Sequence, residues 1–211
     1  MGNMPNNQGA ESDAGGPPDE GARLMGLWAA GDEGAFDRLV QRHSGSVFAL
    51  ITRFLGSHPA REDMVQEVFL RVVRSRNRYE PRARFTTWLY RIVFNLCVNE
   101  SERAGRRKHL SLDRMGSDGD EDAQPDFKDE RVEQPLEAMQ RADRVQLVRD
   151  AIADLPEAQR MALVLAKYDE MPYIEIADVL GSSEKAVKSL MHRARASLRQ
   201  RLSGLLLEGP V

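Results

Sequence analysis

The segment from Tyr173 to Arg195, YIEIADVLGSSEKAVKSLMHRAR, constrains the fold most, because its spacing is typical of a helix-turn-helix. Apolar residues at helical intervals end at Leu180, and Gly181 follows where the chain must turn sharply. Glycine readily takes the positive φ that such a turn needs. Val187 and Leu190 then supply the inner face of a second helix.

The outer face of this second helix is polar and mostly basic. It carries Lys185, Lys188, Ser189, His192, Arg193 and Arg195. Such side chains suit phosphates and base edges, so the segment favours DNA binding. An ordinary helical hairpin with a solvated basic face is the alternative.

Charge is segregated along the chain, although the net charge is only −3. The stretch from Arg71 to Lys108 has eleven basic residues against three acids, and the stretch from Asp113 to Glu137 has ten acids against three basic residues. The segment from Lys185 to Arg201 is basic again. Because salt screens charges over about 8–10 Å, these local blocks matter more than the total.

The sequence offers no sign of catalytic or metal chemistry. Cys97 is the only cysteine, lies in an apolar run and is predicted to be a buried core residue. The four histidines are scattered without ligand spacing, and no nucleophile–base pair or phosphate-binding glycine loop is recognisable. We therefore expect no catalytic residue, metal, cofactor or small-molecule substrate. With no secretion signal and no membrane-spanning run, we expect a cytoplasmic protein that does not insert into membranes.

Helical periodicity and the absence of alternating strand patterns predict an all-α chain of two small helical domains. A flexible acidic linker is predicted to join them. The predicted ranges are a disordered tail at 1–22, a first domain at 23–107, the linker at 108–135, a helix-turn-helix domain at 136–204 and a tail at 205–211.

The first domain interleaves cations with aromatic side chains. The set is Tyr79, Arg82, Arg84, Phe85, Trp88, Tyr90, Arg91 and Asn95. Basic groups attract phosphates and aromatic faces stack on unpaired bases, so the pattern favours opened, single-stranded DNA. The loop from Arg76 to Thr87 is the expected place for extruded bases. Alternatively, Phe85, Trp88 and Tyr90 simply pack in the core.

A polar stripe with helical spacing precedes this region. Asp63, Gln66, Glu67 and Arg71 share one helix face, beside Phe69 and Leu70. The stripe is either a solvated helix surface or a protein-docking site.

Four blocks of the chain together resemble a known family. They are GDEGAFDRLVQRH, DMVQEVFLRV, RFTTWLYRIVFNLC and LPEAQRMALVLAKYDEMPYIEIADVLGSSEKAVKSLMHRARASL. In this order and at these distances they resemble bacterial sigma factors of the sigma-70 family, of the extracytoplasmic-function (ECF) type. Members of that type keep two domains, regions 2 and 4.

The resemblance implies three surfaces and their residues. Binding of core RNA polymerase would fall to Asp63, Gln66, Glu67, Phe69 and Leu70. Recognition and melting of the promoter −10 element would fall to Arg82, Arg84, Phe85, Trp88, Arg91 and Asn95. Contact with the duplex −35 element would fall to Glu184, Lys185, Lys188, Ser189, His192 and Arg193.

The resemblance also implies further partners, and two alternative functions remain. The acidic linker would run toward the RNA exit path of the polymerase, and an anti-sigma factor would hold the protein inactive. Two positions depart from the family: Asn99 stands where Asp is frequent, and Leu190 where many members have Arg. A stand-alone helix-turn-helix regulator is the first rival function, and an enzyme is the second.

Overall fold

The computed structural model describes residues 19–112 and 135–203, and within them the chain forms eight α-helices and no β-strand. The all-α prediction is confirmed. The helices are α1 (Glu20–Ala29), α2 (Glu33–Leu55), α3 (Arg61–Arg74), α4 (Phe85–Leu112), α5 (Pro135–Ala153), α6 (Glu157–Tyr168), α7 (Tyr173–Leu180) and α8 (Glu184–Arg201).

The N-terminal domain, α1–α4, begins with one carboxylate that serves two helices. Asp19 accepts a hydrogen bond from the Ala22 amide at 3.3 Å and so caps α1. It also accepts from the amide of Phe85, the first residue of α4. Gly21 lies against the Phe85 ring, where a Cβ would approach within 2.4 Å. Residues 20–22, assigned to the tail from sequence, therefore belong to α1, whereas residues 1–18 lie outside the described part.

The core of this domain is built from large apolar side chains on all four helices. Its fully buried members include Leu24, Met25, Leu39, Leu50, Ile51, Phe54, Phe85 and Leu89. Cys97 is also buried in this core, as predicted. Burial raises the pKa of its thiol to about 12, so the thiol stays protonated at neutral pH.

The C-terminal domain, α5–α8, contains the predicted helix-turn-helix. Gly181 ends α7 in the left-handed conformation, with φ 60° and ψ 42°. Ser183 then caps α8 by accepting from the Ala186 amide at 3.2 Å. Val187 is fully buried, and Leu190 packs half-buried against the core. The packing role predicted for Leu190 is thus confirmed.

The two domains pack against each other, which the sequence did not indicate. Helix α4 lies against α7, and α2 lies against α6. Their buried side chains form one continuous apolar cluster. The range assigned to the linker overlaps the end of α4 at residues 108–112, and its middle, 113–134, lies outside the described residues.

Candidate nucleic-acid and protein interfaces

The first candidate surface is the outer face of α8. Its exposed side chains are Lys185, Lys188, Ser189, His192 and Arg193. The opposite face is buried through Val187, Met191 and Ala194, which orients the helix on the domain. In a helix-turn-helix the N-terminal residues of the second helix reach base edges in the major groove. The structure therefore brings the predicted set together on one accessible face.

Glu184 is the one acid on this surface, and it is paired within α8. Its carboxylate lies 2.6 Å from the Lys188 ammonium, one helical turn away. Both side chains are largely exposed, so the pair contributes little to stability. Contact between Lys188 and a phosphate or base would require this pair to rearrange.

The second candidate surface is the N-terminal half of α4. Arg84, Arg91 and Asn95 are exposed, while Trp88 is half-buried against other aromatic rings. The centre of the Trp88 ring lies 4.9 Å from that of Tyr79. Three exposed polar side chains and one half-buried indole therefore lie in this part of α4 and the residue before it.

Phe85 does not lie on this surface. It is 0% exposed and packs between the rings of Tyr79, Trp88 and His43, at centroid distances of 5.0–5.9 Å. The prediction that Phe85 contacts the −10 element is therefore replaced by a core role. Sequence spacing left both roles open, because an aromatic residue suits a core and a stacking surface equally.

The two arginines of the loop before α4, Arg82 and Arg76, also differ in whether they are accessible. Arg82 is exposed and pairs with Glu80 at 2.6 Å, so it remains at the surface. Arg76 instead donates to the backbone carbonyl of Trp28 at 2.6 Å and pairs with Glu33 at 2.8 Å. Its guanidinium also lies 4.8 Å from the centre of the Trp28 ring. Arg76 therefore anchors the loop rather than offering a free cation for bases.

The third candidate surface is the outer face of α3. Asp63, Gln66 and Leu70 are exposed, and Leu70 retains 49% of its accessible area. Val73, which lies outside the predicted set, extends the same face and is 40% exposed. An exposed apolar pair framed by polar residues is typical of a protein-docking site.

Two predicted members of this surface have other roles. Phe69 is only 8% exposed and contributes to the core, so it is not available for docking. Glu67 forms hydrogen bonds with Arg71 at 2.9 Å and with Arg74 at 3.4 Å. The hydrogen bond from Arg71 lowers the pKa of Glu67, which keeps it ionised. The accessible part of this candidate surface is thus Asp63, Gln66, Leu70 and Val73.

Contacts between the domains give three residues of the α4 region, Arg84, Thr87 and Tyr90, partners that the sequence did not indicate. Thr87 on α4 donates to Glu175 on α7 at 3.2 Å, and Arg84 reaches the same carboxylate at 3.5 Å. The Tyr90 hydroxyl donates to Asp169, the residue that follows α6, at 3.1 Å. These partners are 79–91 residues apart in sequence, so no local pattern indicates them.

Metal and membrane chemistry find no support in the described parts of the chain. Among residues 19–112 and 135–203, no group of three or more His, Cys, Asp or Glu side chains is placed to hold a metal ion. Within the same ranges no helix combines the length and apolar character needed to cross a bilayer.

Comparison with known proteins identifies relatives over most of the chain. Family models described as Sigma-70 region 2 and Sigma-70, region 4 match residues 39–107 and 146–198. The RNA polymerase sigma-H factor of Pseudomonas aeruginosa is 34% identical over 178 residues, covering 84% of this chain and 91% of that protein. The ECF RNA polymerase sigma-E factor of Escherichia coli is 31% identical over 180 residues, covering 83% and 91%.

Solved structures give the same picture of the fold. The chain is similar to CnrH, solved in complex with the cytosolic domain of CnrY, with a TM-score of 0.59 and 27% identity. That match covers 91% of this chain and all of CnrH. The sigma factor RpoE of Bartonella quintana, solved with the anti-sigma factor NepR, matches with a TM-score of 0.60 at 20% identity over 80% of this chain and 96% of that one. The latter match supports the fold alone.

Proposed function

The chain belongs to the sigma-70 family as a sigma factor of the ECF type, and we propose that its three exposed surfaces divide the work of transcription initiation. The face of α8 binds the duplex −35 element. The N-terminal half of α4 binds the −10 element as it opens. The face of α3 binds core RNA polymerase. The polymerase supplies the chemistry, and this chain supplies position and promoter choice, without catalysis of its own.

The observation that carries the proposal is the face of α8. A helix-turn-helix with Gly181 in the left-handed turn presents five exposed polar side chains on one side of its second helix. All of them fall within the match to region 4. Ser189, His192 and Arg193 supply donors suited to base edges, and Lys185 and Lys188 supply charge for phosphates.

The role of α4 in melting rests on its accessible polar and aromatic groups. Arg91 and Asn95 are one helical turn apart and exposed, and the half-buried Trp88 precedes Arg91 by three residues on the same helix. A guanidinium and an indole can bind a flipped base by stacking, and the amide can hydrogen-bond to its edge. Capture of unpaired bases would stabilise the open strand relative to the duplex.

The role of α3 rests on the exposed Leu70 and Val73, which follow Asp63 and Gln66 along the same face of the helix. Burying these two side chains against a partner removes apolar surface from water, while the polar neighbours give orientation. Each surface can then be weak on its own. Because the polymerase holds both DNA-binding domains at once, their effects multiply through a high effective concentration.

Regulation by an anti-sigma factor follows from the relatives. CnrH, the 27% identical match, was solved bound to the cytosolic domain of CnrY. We propose a comparable complex for this chain, in which a protein partner binds it and withholds it from polymerase. Because its partners are polymerase and promoter DNA, the chain would act in the cytoplasm.

The experiment is reconstitution with purified bacterial core RNA polymerase. We expect a stable complex and new run-off transcripts from a defined subset of genomic fragments, whose start sites give the promoter sequence. A stand-alone regulator would instead shift duplex DNA without polymerase and leave the transcripts unchanged. That result, together with absent core binding, would overturn the proposed function.

A further inference from the structure

We propose that three consecutive leucines near the C-terminus, residues 205–207, pack on an exposed apolar face of α5 and close that face to other proteins in the free chain. This leucine segment begins two residues after residue 203, where the described part of the chain ends. None of the three surfaces proposed above belongs to α5, so the inference does not depend on their assignment.

One face of α5 is covered at its C-terminal end and exposed one turn earlier. Leu147, Val148 and Ala151 share this face, because they are spaced i, i+1 and i+4 along the helix. Ala151 is buried, whereas Leu147 is 50% exposed and Val148 is 37% exposed. Residues 143–150 are all exposed. Within the described residues, the apolar face of α5 is therefore only half covered.

The cover over this face stops where the described part of α8 stops. Helices α5 and α8 are in contact, and Arg201, the last residue of α8, forms an ion pair with Asp154, the residue after α5. The Asp154 amide donates to the Asp150 carbonyl at 3.0 Å, so the helical turn continues to this residue. Asp154 follows Ala151 by three positions and thus lies on the same face. The chain beyond Arg201 therefore starts beside the covered end of the face.

The apolar spacing of α8 continues into the leucine segment. Ala194 is buried on the inner face of α8, and Leu198 and Leu202 follow at four-residue steps and are half-buried. Leu205 and Leu206 fall on the next three- and four-residue steps of the sequence. Three leucines in a row exposed to water would form the kind of contiguous apolar patch that soluble proteins rarely leave uncovered. Burial of the segment against α5 removes both apolar surfaces from water.

The leucine segment is long enough to reach the exposed half of the α5 face. Five residues of extended chain separate Arg201 from Leu206, and they span up to about 17 Å. Val148 lies six residues before Asp154, which is about 9 Å along a helix axis. The distance from the Arg201–Asp154 ion pair to Val148 is therefore within the reach of the segment.

Charges at the far end of the face are complementary to those of the segment. Arg144 is exposed and lies one helical turn before Val148 on the same side of α5. Glu208 is the only acidic side chain after residue 203 and directly follows the leucines. A protein that binds this side of α5 has to displace the segment, so its affinity falls with the fraction of chains in which the face is open.

The test is disulfide formation in full-length protein that carries Val148→Cys and Leu206→Cys. Native Cys97 is buried and its thiol is protonated, so it does not compete for the new thiols. The matched control carries Gln146→Cys and Leu206→Cys, because Gln146 is exposed on the opposite side of α5 at nearly the same height. Dilute protein is oxidised with copper phenanthroline, mass spectrometry identifies the linked peptides, and circular dichroism checks the fold of each variant.

We expect the Val148→Cys pair to link within one chain about tenfold faster than the Gln146→Cys pair, because docking raises the effective concentration of the two thiols. Equal rates in the two proteins would overturn the proposal, since an undocked segment reaches both sides of α5 alike. Links that form mainly between two chains would also overturn it, because a second copy would then cover the face.

A second measurement is maleimide labelling of Val148→Cys, with the native leucine segment and with Leu205, Leu206 and Leu207 all replaced by serine. We expect the serine variant to label about fivefold faster, because the segment no longer shields this thiol. Gln146→Cys should label at the same rate in both backgrounds. A labelling rate of Val148→Cys that does not change with the serine substitutions would overturn the proposal.

Discussion

Arg160 of the C-terminal domain caps the end of α2 in the N-terminal domain by donating to the backbone carbonyl of Phe54 at 2.9 Å. Its guanidinium also lies 4.8 Å from the centre of the Phe54 ring, and its second terminal nitrogen donates to Leu155 at 2.9 Å. Phe54 is in the last turn of α2, where helix carbonyls lack partners within the helix. One cation therefore satisfies an orphan carbonyl and joins the domains.

Replacing Arg160 should weaken this junction. Arg160→Met keeps a similar length of apolar chain but removes both hydrogen bonds, leaving the Phe54 and Leu155 carbonyls without this donor. We expect a loss of about 1–3 kcal/mol in the free energy of unfolding, measured by urea denaturation. Arg160→Lys keeps the charge without the two-pronged geometry and should be intermediate. If the urea midpoint of Arg160→Met equals that of the wild type, these hydrogen bonds do not contribute to the free energy of unfolding.

His43 should make the N-terminal domain sensitive to acid. Burial lowers the pKa of His43 from 6.5, with the nearby positive charge of Arg42 as a second cause. As the pH falls, His43 takes up a proton in the unfolded chain before it does so in the folded protein. The contribution of neutral His43 to the free energy of unfolding is therefore present above pH 6.5 and is lost as the pH falls below it. We predict that the stability difference between wild type and His43→Leu shifts in favour of the variant on acidification. A difference independent of pH across this range would contradict the assignment.

The proposed docking face on α3 can be tested with substitutions that leave the core unchanged. Gln66→Ala with Phe69→Ala would mix docking with unfolding, because Phe69 is buried. Gln66→Ala with Leu70→Ala changes two exposed side chains and should lower affinity for core polymerase by about tenfold, with the melting temperature unchanged. Gln41→Ala, an exposed glutamine on α2, is the matched control. Equal affinity for core polymerase in the wild type, the double variant and Gln41→Ala would show that this face is only a solvated surface.

The basic face of α8 should determine dependence on the −35 element. Lys188→Ala with Arg193→Ala removes two positive charges from the exposed face of α8, and should reduce transcription from −35-dependent promoters by about tenfold or more. Binding to core polymerase should stay intact, because α3 is unchanged. Arg199→Ala removes the same charge near the end of α8 and should leave the −35 sequence preference as it is. Loss of core binding in the double variant would contradict the division of roles.

Local sequence signals predicted the helix-turn-helix well. Gly181 indicates the left-handed turn, and Leu190 indicates the inner face of α8. Both features are predictable because each depends on only a few neighbouring residues. The glycines and prolines around Asp19 favour a disordered tail. The position of Asp19 before Glu20 is nonetheless a helix-start signal that could have placed the beginning of α1 correctly.

Tertiary contacts could not be predicted in this way. Periodicity shows which side of a helix is apolar, but the choice between core and surface for Phe69 and Phe85 depends on what packs above them. The pairing of Thr87 with Glu175 joins residues 88 positions apart and has no local signature. Resemblance to a family assigns roles to positions, and it is the burial in this chain that removes Phe69 and Phe85 from the proposed surfaces.

Permanganate footprinting of a mapped promoter tests the central claim, that α8 fixes register while α4 holds the open strand. Holoenzyme with wild-type protein should make the −10 thymines reactive. With Trp88→Ala and Asn95→Ala, the holoenzyme should still protect the −35 element while the −10 thymines lose about tenfold or more of their reactivity. Full −10 reactivity with that double variant would contradict the account, because melting would then not depend on α4.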